Sequence, residues 1–296
     1  MSRQVQGYFY LALAMLTVGS TVIASKIIAS GLPPFTATAL RFALALPVFF
    51  LLMRASGARV PKLSSHDRLI LVIQAGAGSV GYTTLLISGL SLTSAADAGV
   101  IIGTLPVVAA AVSILVLRER PGRALLLAVV LASAGVFSIA FTPGATGGSL
   151  AGNLLIFLAV ICEGLFILLN KRLTADIAPL AQSTLMTGIG FVFSIVPAIF
   201  EAPVHGFAES AAAAVVYYAL VPTVGGFLLW YAGAERVSGT EAALFTALAP
   251  VSAVMLAFVL LGEPIGFNHI AGIACVLAAV SGLAFAGSHR KFIEGK

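Results

Sequence analysis

An acidic side chain deep inside an apolar run is a candidate for chemistry, and Glu163 is such a residue. At 1.5 Å per residue it lies about 20 Å from the start of the run Leu150 to Leu169 and about 9 Å short of its other end. A carboxyl group at that depth is costly unless it is protonated or partnered, so it faces either a pathway or another polar group. The residues sharing its helix face, Ala159, Glu163, Phe166 and Asn170, could line a route for a substrate ammonium or carry a coupling proton. The plainer alternative is a neutral, hydrogen-bonded structural glutamate.

Tyr82, near the middle of another run, is the aromatic residue best placed to touch a solute, while Trp230 and Tyr231 fit either solute contact or an interfacial belt. Thr17, Ser20, Thr21 and Ser25 form a polar stripe at helical spacing, suited to helix packing or to lining a cavity. Ser79 belongs with these small polar groups. Lys26 sits close enough to a span end to reach outward along its long stem, the alternative being a contact with a substrate carboxylate, and Arg41 could likewise reach outward. Pro106 and Pro250 fall mid-span, where each removes a helix hydrogen bond and permits either a hinge or a fixed kink. Asp97 and Glu241 could couple ions near span entrances, but they follow Ser94 and Ser238 by three residues, the capping-box spacing that satisfies amides at a helix start. The run Gly76-Ala77-Gly78-Ser79-Val80-Gly81 matches a dinucleotide fingerprint in letters only. That fingerprint needs a strand, turn and helix, whereas small residues within an apolar span let neighbouring helices approach. The histidines His66, His205, His269 and His289 have no metal-ligand spacing, and Cys162 and Cys275 lie in apolar runs, so no metal or cofactor is expected. Without a P-loop, ATP-driven transport by this chain is not expected, nor is enzymatic catalysis.

These residues need elements to hold them, and the composition says which kind. Of 296 residues 60% are hydrophobic and 9% charged, with a mean hydropathy of +1.09. That is far from the roughly 25% charged residues of a soluble domain, and it describes an all-α, multi-pass membrane protein. Ten runs are long enough to cross about 30 Å of hydrocarbon: Gly7 to Ala29, Phe35 to Met53, Leu69 to Leu90, Ala95 to Leu117, Ala124 to Phe141, Leu150 to Leu169, Leu180 to Phe200, Ala211 to Ala234, Ala242 to Leu261 and Ile270 to Gly287. The net charge of +5 forms no dense basic face for nucleic acid. Apart from Lys26 and Arg41, every Lys and Arg falls in alternate loops or at the termini, all on one side of the predicted bilayer. By the positive-inside rule both termini are cytoplasmic, with a bacterial inner membrane as the expected location.

The two halves repeat. Gly19, Lys26 and Pro34 return 145 residues later as Gly164, Lys171 and Pro179; Asp97, Pro106, Glu119 and Gly122 return 144 residues later as Glu241, Pro250, Glu263 and Gly266. Five spans per half is an odd number, so residues 1–141 and 149–287 form two inverted five-helix repeats, expected to enclose a central cavity. The stretch Leu260-Leu261-Gly262-Glu263-Pro264-Ile265-Gly266, with the small-residue last span, resembles the end of an EamA repeat of the drug/metabolite transporter superfamily. The first half, Leu117-Arg118-Glu119-Arg120-Pro121-Gly122, departs at the glycine and shifts the proline by one. The resemblance implies a secondary transporter working by alternating access, and within the superfamily the chain looks like the amino-acid exporters of the YddG type. Export of aromatic and other neutral amino acids by a monomer is therefore expected. The alternative is an exporter of drugs or other metabolites, coupled to protons through Glu163.

Overall fold

The computed structural model describes residues 3–93, 98, 101–102, 104–105, 107–108, 114, 122–140, 149–201, 208–261, 267 and 270–279. Helix α1 (Arg3–Ala29) turns tightly into α2 (Pro34–Ser56). Pro34 occupies the first helical turn, where its missing N–H is no loss, and Gly57 ends α2 with a left-handed φ of 67°. Helix α3 (Ser65–Gln74) starts on Ser64, whose hydroxyl accepts the Asp67 N–H at 3.0 Å. The same rod continues through a π-helical segment, Ala75–Gly81, into α4 (Tyr82–Leu92). After α5 (Arg123–Ala140), the pattern recurs: α6 (Leu150–Asn170), α7 (Pro179–Phe200) with proline again in its first turn, then α8 (Glu209–Tyr218), a second π segment, Ala219–Gly226, and α9 (Phe227–Ala234). Two shorter helices follow, α10 (Gly239–Phe245) and α11 (Leu248–Leu261).

Among the described residues, six helices are long and apolar enough to cross a membrane: Arg3–Ala29, Pro34–Ser56, Ser65–Leu92, Leu150–Asn170, Pro179–Phe200 and Glu209–Ala234. Shorter apolar helices cover Leu126–Gly135, Glu241–Ala253 and Ile270–Ala279. The expected fourth run lies largely outside the described residues, and with it Pro106 and Asp97. The expected ninth run is not one uninterrupted helix. It breaks at Thr246 and Ala247, whose N–H groups bond three residues back, to Ala243 and Leu244. Pro250 therefore stands in the first turn of α11, where it costs no helix bond, and not in mid-helix as its position in the run suggested.

The π segments occupy equivalent positions in the two halves, and each has a local cause. Pro222 lacks an N–H and crowds the carbonyl of Tyr218, which instead accepts the Thr223 hydroxyl at 2.9 Å. The first segment, Ala75-Gly76-Ala77-Gly78-Ser79-Val80-Gly81, has three glycines that weaken α-helical preference, and Phe166 is pressed against Gly78 so closely that a Cβ there would lie 2.3 Å from the Phe166 Cβ. The Gly-rich run is thus a helix-packing site, as its apolar context predicted.

Packing follows the repeat. Helix α1 packs along the α8 to α9 rod as α6 packs along the α3 to α4 rod, α2 packs against α7, and each of those two also touches the other half's π segment. Gly19 of α1 lies against α11, where the Ser252 hydroxyl donates to Leu16 O at 2.9 Å. Polar ties gather at the two ends of the bundle. At the end where α1 begins, Gln4 Nε2 donates to Glu241 Oε1 at 2.7 Å, the Tyr8 hydroxyl donates to the same oxygen, and Lys171 Nζ donates to the carbonyls of Ala234 and Val237. Asp67 accepts the Thr174 N–H at 2.8 Å at that end. At the opposite end Glu201 accepts the Phe35 and Thr36 N–H groups at 3.0 and 2.6 Å, a carboxylate on the exposed amides of a helix start.

Candidate functional site

The two π segments bring their flanking residues into the interior. Gln74 and Tyr218 precede them and Tyr82 and Phe227 follow them, at offsets of 144 and 145 residues. Gln74 is fully buried; its Nε2 donates to Phe166 O at 3.0 Å, which fastens the first π segment's entry to α6, and its Oε1 has no partner among the described residues. Phe166 heads an aromatic wall, with ring centroids 6.3 Å from Phe227, 5.9 Å from Trp230 and 5.9 Å from Tyr231.

Glu163, one turn before Phe166, is half-buried and makes no hydrogen bond or ion pair among the described residues. Tyr82 and Tyr231 lie within electrostatic reach of it. Tyr82 is in turn within reach of Thr21, Tyr218 and Arg41. The Tyr231 hydroxyl, the Trp230 indole N–H and the Ser79 hydroxyl are buried without partners among the described residues. Buried polar atoms are normally satisfied, so the unsatisfied Tyr231 hydroxyl, within electrostatic reach of the Glu163 carboxyl group, is a point where a polar solute can supply a missing bond.

The residues singled out from the sequence divide accordingly. Tyr82, Phe166, Trp230, Thr21 and Ser79 are buried and Glu163 is half-buried. Trp230 and Tyr231 are 4% and 1% exposed, which places them in the aromatic wall and not in an interfacial belt. The stripe on α1 is mostly turned to its own backbone: Thr17, Ser20 and Thr21 donate to the carbonyls of Ala14, Thr17 and Val18. Thr17 also packs against Gly226 of the second π segment, and Ser20 accepts the Tyr217 hydroxyl at 2.7 Å. Asn170 is engaged by Gln182, whose Nε2 donates to its Oδ1 at 2.6 Å near the end of α6. The capping box of Ser238 and Glu241 is present, and Glu241 gains the further ties to α1 described above. Lys26 is exposed, consistent with an outward reach.

Arg41 corrects its sequence reading. Its side chain does not reach outward but is 5% exposed, with Nη2 donating to Ser79 O at 3.2 Å and its guanidinium carbon 4.2 and 4.6 Å from the ring centroids of Phe42 and Tyr218. Tyr218, Phe227 and Gln74 were also missed. The 145-residue match of Tyr82 with Phe227 was the available signal, since it places an aromatic residue at the same point of each half.

Known proteins fit this architecture. The model of the EamA-like transporter family matches residues 5–141 and again 150–285. An uncharacterised transporter of Bacillus subtilis, YetK, is 36% identical over 285 residues, covering 94% of this chain and 86% of the relative. A probable terminal-alkyne amino-acid exporter of Streptantibioticus cattleyicolor is 28% identical over 212 residues, or 70% of this chain and 69% of the exporter. A solved crystal structure superposes with a TM-score of 0.79 at 20% identity, covering 95% of this chain and 98% of the other, a likeness of fold.

Proposed function

Since the chain belongs to the EamA-like transporter family and is a multi-pass membrane transporter, we propose that it exports neutral amino acids, aromatic ones among them, from a bacterial cytoplasm by alternating access. The observation that carries this reading is the half-buried Glu163, without a partner among the described residues, within electrostatic reach of Tyr82 and Tyr231 and one helical turn from Phe166, which heads the aromatic wall of Phe227 and Trp230. A carboxylate can take a substrate ammonium while the rings accept an apolar side chain. The similarity to a probable terminal-alkyne amino-acid exporter points in the same direction. In the full reading, ten helices in two inverted repeats enclose the site, both termini face the cytoplasm and a single chain completes the pathway. Glu163 also favours a second reading, in which a cationic drug or metabolite leaves in exchange for a proton carried by the same carboxyl group.

Uptake of labelled amino acids by liposomes containing the purified protein, with and without a proton gradient, separates the two. Saturable amino-acid uptake that loses its gradient dependence in Glu163→Gln is the expected result. Gradient-independent flux in the wild type removes the coupling role and leaves facilitated diffusion. Folded protein that moves cationic drugs but no amino acid transfers the function to the second reading.

A further inference from the structure

We infer that Arg41 is the anion subsite of the pathway and receives the carboxylate of the transported solute. This deepens, and rests on, the reading of the protein as an amino-acid transporter. Arg41 lies seven residues into α2, about 10 Å along the helix. A guanidinium keeps its charge in essentially any protein environment, so burial of this one calls for a compensating group. Among the described residues no carboxylate lies within ion-pair distance of it. What surrounds it is a carbonyl, Ser79 O, the faces of Phe42 and Tyr218, and the hydroxyls of Tyr218 and Tyr82 within electrostatic reach, none of them a carboxylate. Aromatic faces attract a cation but do not neutralise it. Nη2 is engaged by Ser79 O, whereas among the described residues the buried Nε has no acceptor and the buried Ser79 hydroxyl, on the residue whose carbonyl holds Arg41, has no partner.

A guanidinium with an open edge matches the two oxygens of a carboxylate. One cation suits one negative charge, and Lys26, the other basic residue of the first two spans away from the loops, is exposed near the far end of α1. A monoanionic carboxylate therefore fits better than a doubly charged phosphate. Tyr82 is within electrostatic reach of both Arg41 and Glu163, and among the described residues these two ionisable groups are not tied to each other in an ion pair. A zwitterion presents the complementary pair.

The test uses the protein's single tryptophan, Trp230, as the reporter, since it stands in the aromatic wall 5.9 Å from Phe166. Binding of L-phenylalanine, 3-phenylpropionate and 2-phenylethylamine is titrated against the purified full chain in nanodiscs, for wild type, Arg41→Gln, Arg41→Lys and Glu163→Gln, each first shown to be folded by its thermal transition. Arg41→Gln is expected to weaken the two carboxylates by about tenfold or more and to leave the amine unchanged, with Arg41→Lys intermediate. Equal weakening of all three ligands by Arg41→Gln, or no effect on any, overturns the inference. The two readings fail separately. Arg41-dependent binding of phenylpropionate without binding of phenylalanine keeps the anion subsite and removes the amino-acid substrate. Binding of phenylalanine that ignores Arg41→Gln does the reverse. A wild type that binds none of the three ends both. If Arg41→Gln does not fold, Arg41→Lys decides: selective weakening of the carboxylates supports the subsite, and uniform weakening or none removes it.

Discussion

Arg41 and Glu163 are ionisable residues with no ionisable counterpart in the other half. At the offset of 145 residues their counterparts are Met186, fully buried in α7, and Val18 in α1. Each of these two residues is thus present in one half of the repeat and absent from the other. Small residues beside this site are fixed by contact. A methyl group on Gly78 would meet Phe166 Cβ at 2.3 Å, so Gly78→Ala must displace either the aromatic wall or the π segment. It is expected to lower stability by about 1–3 kcal/mol. Gly188 in α7 is the control, because its added Cβ meets only Leu46 Cδ1, at 3.9 Å. Gly188→Ala is expected to be neutral or to stabilise by up to about 1 kcal/mol by removing backbone freedom from the unfolded chain. Thermal transitions of the two variants in one detergent should move in opposite directions or differ clearly in size; equal shifts would contradict the packing argument.

At the scale of elements, the capping of α10 does two things at once. Ser238 accepts the Glu241 N–H at 3.1 Å, and Glu241 accepts the Ser238 N–H at 2.7 Å while also holding Gln4 and Tyr8 of α1. Ser238→Ala removes only the cap's hydroxyl and should cost about 1 kcal/mol. Glu241→Ala removes the reciprocal bond and the ties to α1, leaves Gln4 and Tyr8 short of an acceptor, and should cost more. Comparing thermal midpoints tests the order, and a larger loss for Ser238→Ala would show that the ties to α1 contribute nothing. The sequence made the cap legible because it depends on a spacing of three residues. The long apolar helices were legible for a similar reason, since length and hydropathy alone define them. The π segments were not, because one extra residue per turn over so short a stretch leaves the apolar pattern almost unchanged. The burial of Arg41 was hidden as well. From depth alone its side chain can reach the bilayer surface or the interior, and only the position of Ser79 O and Tyr218 decides between them. Trp230 was ambiguous in the same way, since a belt and an interior wall both use aromatic residues near a helix end.

For the molecule as a whole, the repeated packing turns the location of polar ties into a statement about access. Glu241 with Gln4 and Tyr8, Lys171 with the carbonyls of Ala234 and Val237, and Asp67 with Thr174 join the elements at the end where α1 begins, while Glu201 holds the start of α2 at the other. If the site is reached alternately from the two faces, each set must break while the other holds, so weakening one set should open its own face. Cys162 reports on this, being half-buried, next to Glu163 and close to Gly81 of the first π segment. In a Cys275→Ser background Cys162 is the sole cysteine, and its reaction with a membrane-impermeant maleimide can be followed from either side of sealed vesicles. Glu241→Ala should speed labelling several-fold from the face that bears the N-terminus, since losing hydrogen bonds to a charged group shifts a two-state balance by about tenfold per 1.4 kcal/mol. Glu201→Ala should favour labelling from the opposite face. The same vesicles fix which face is cytoplasmic, because protease added outside removes a tag at residue 296 only where the C-terminus is outward. Rates that rise equally from both faces in both variants would mean general loosening, and unchanged rates would mean that these ties gate nothing.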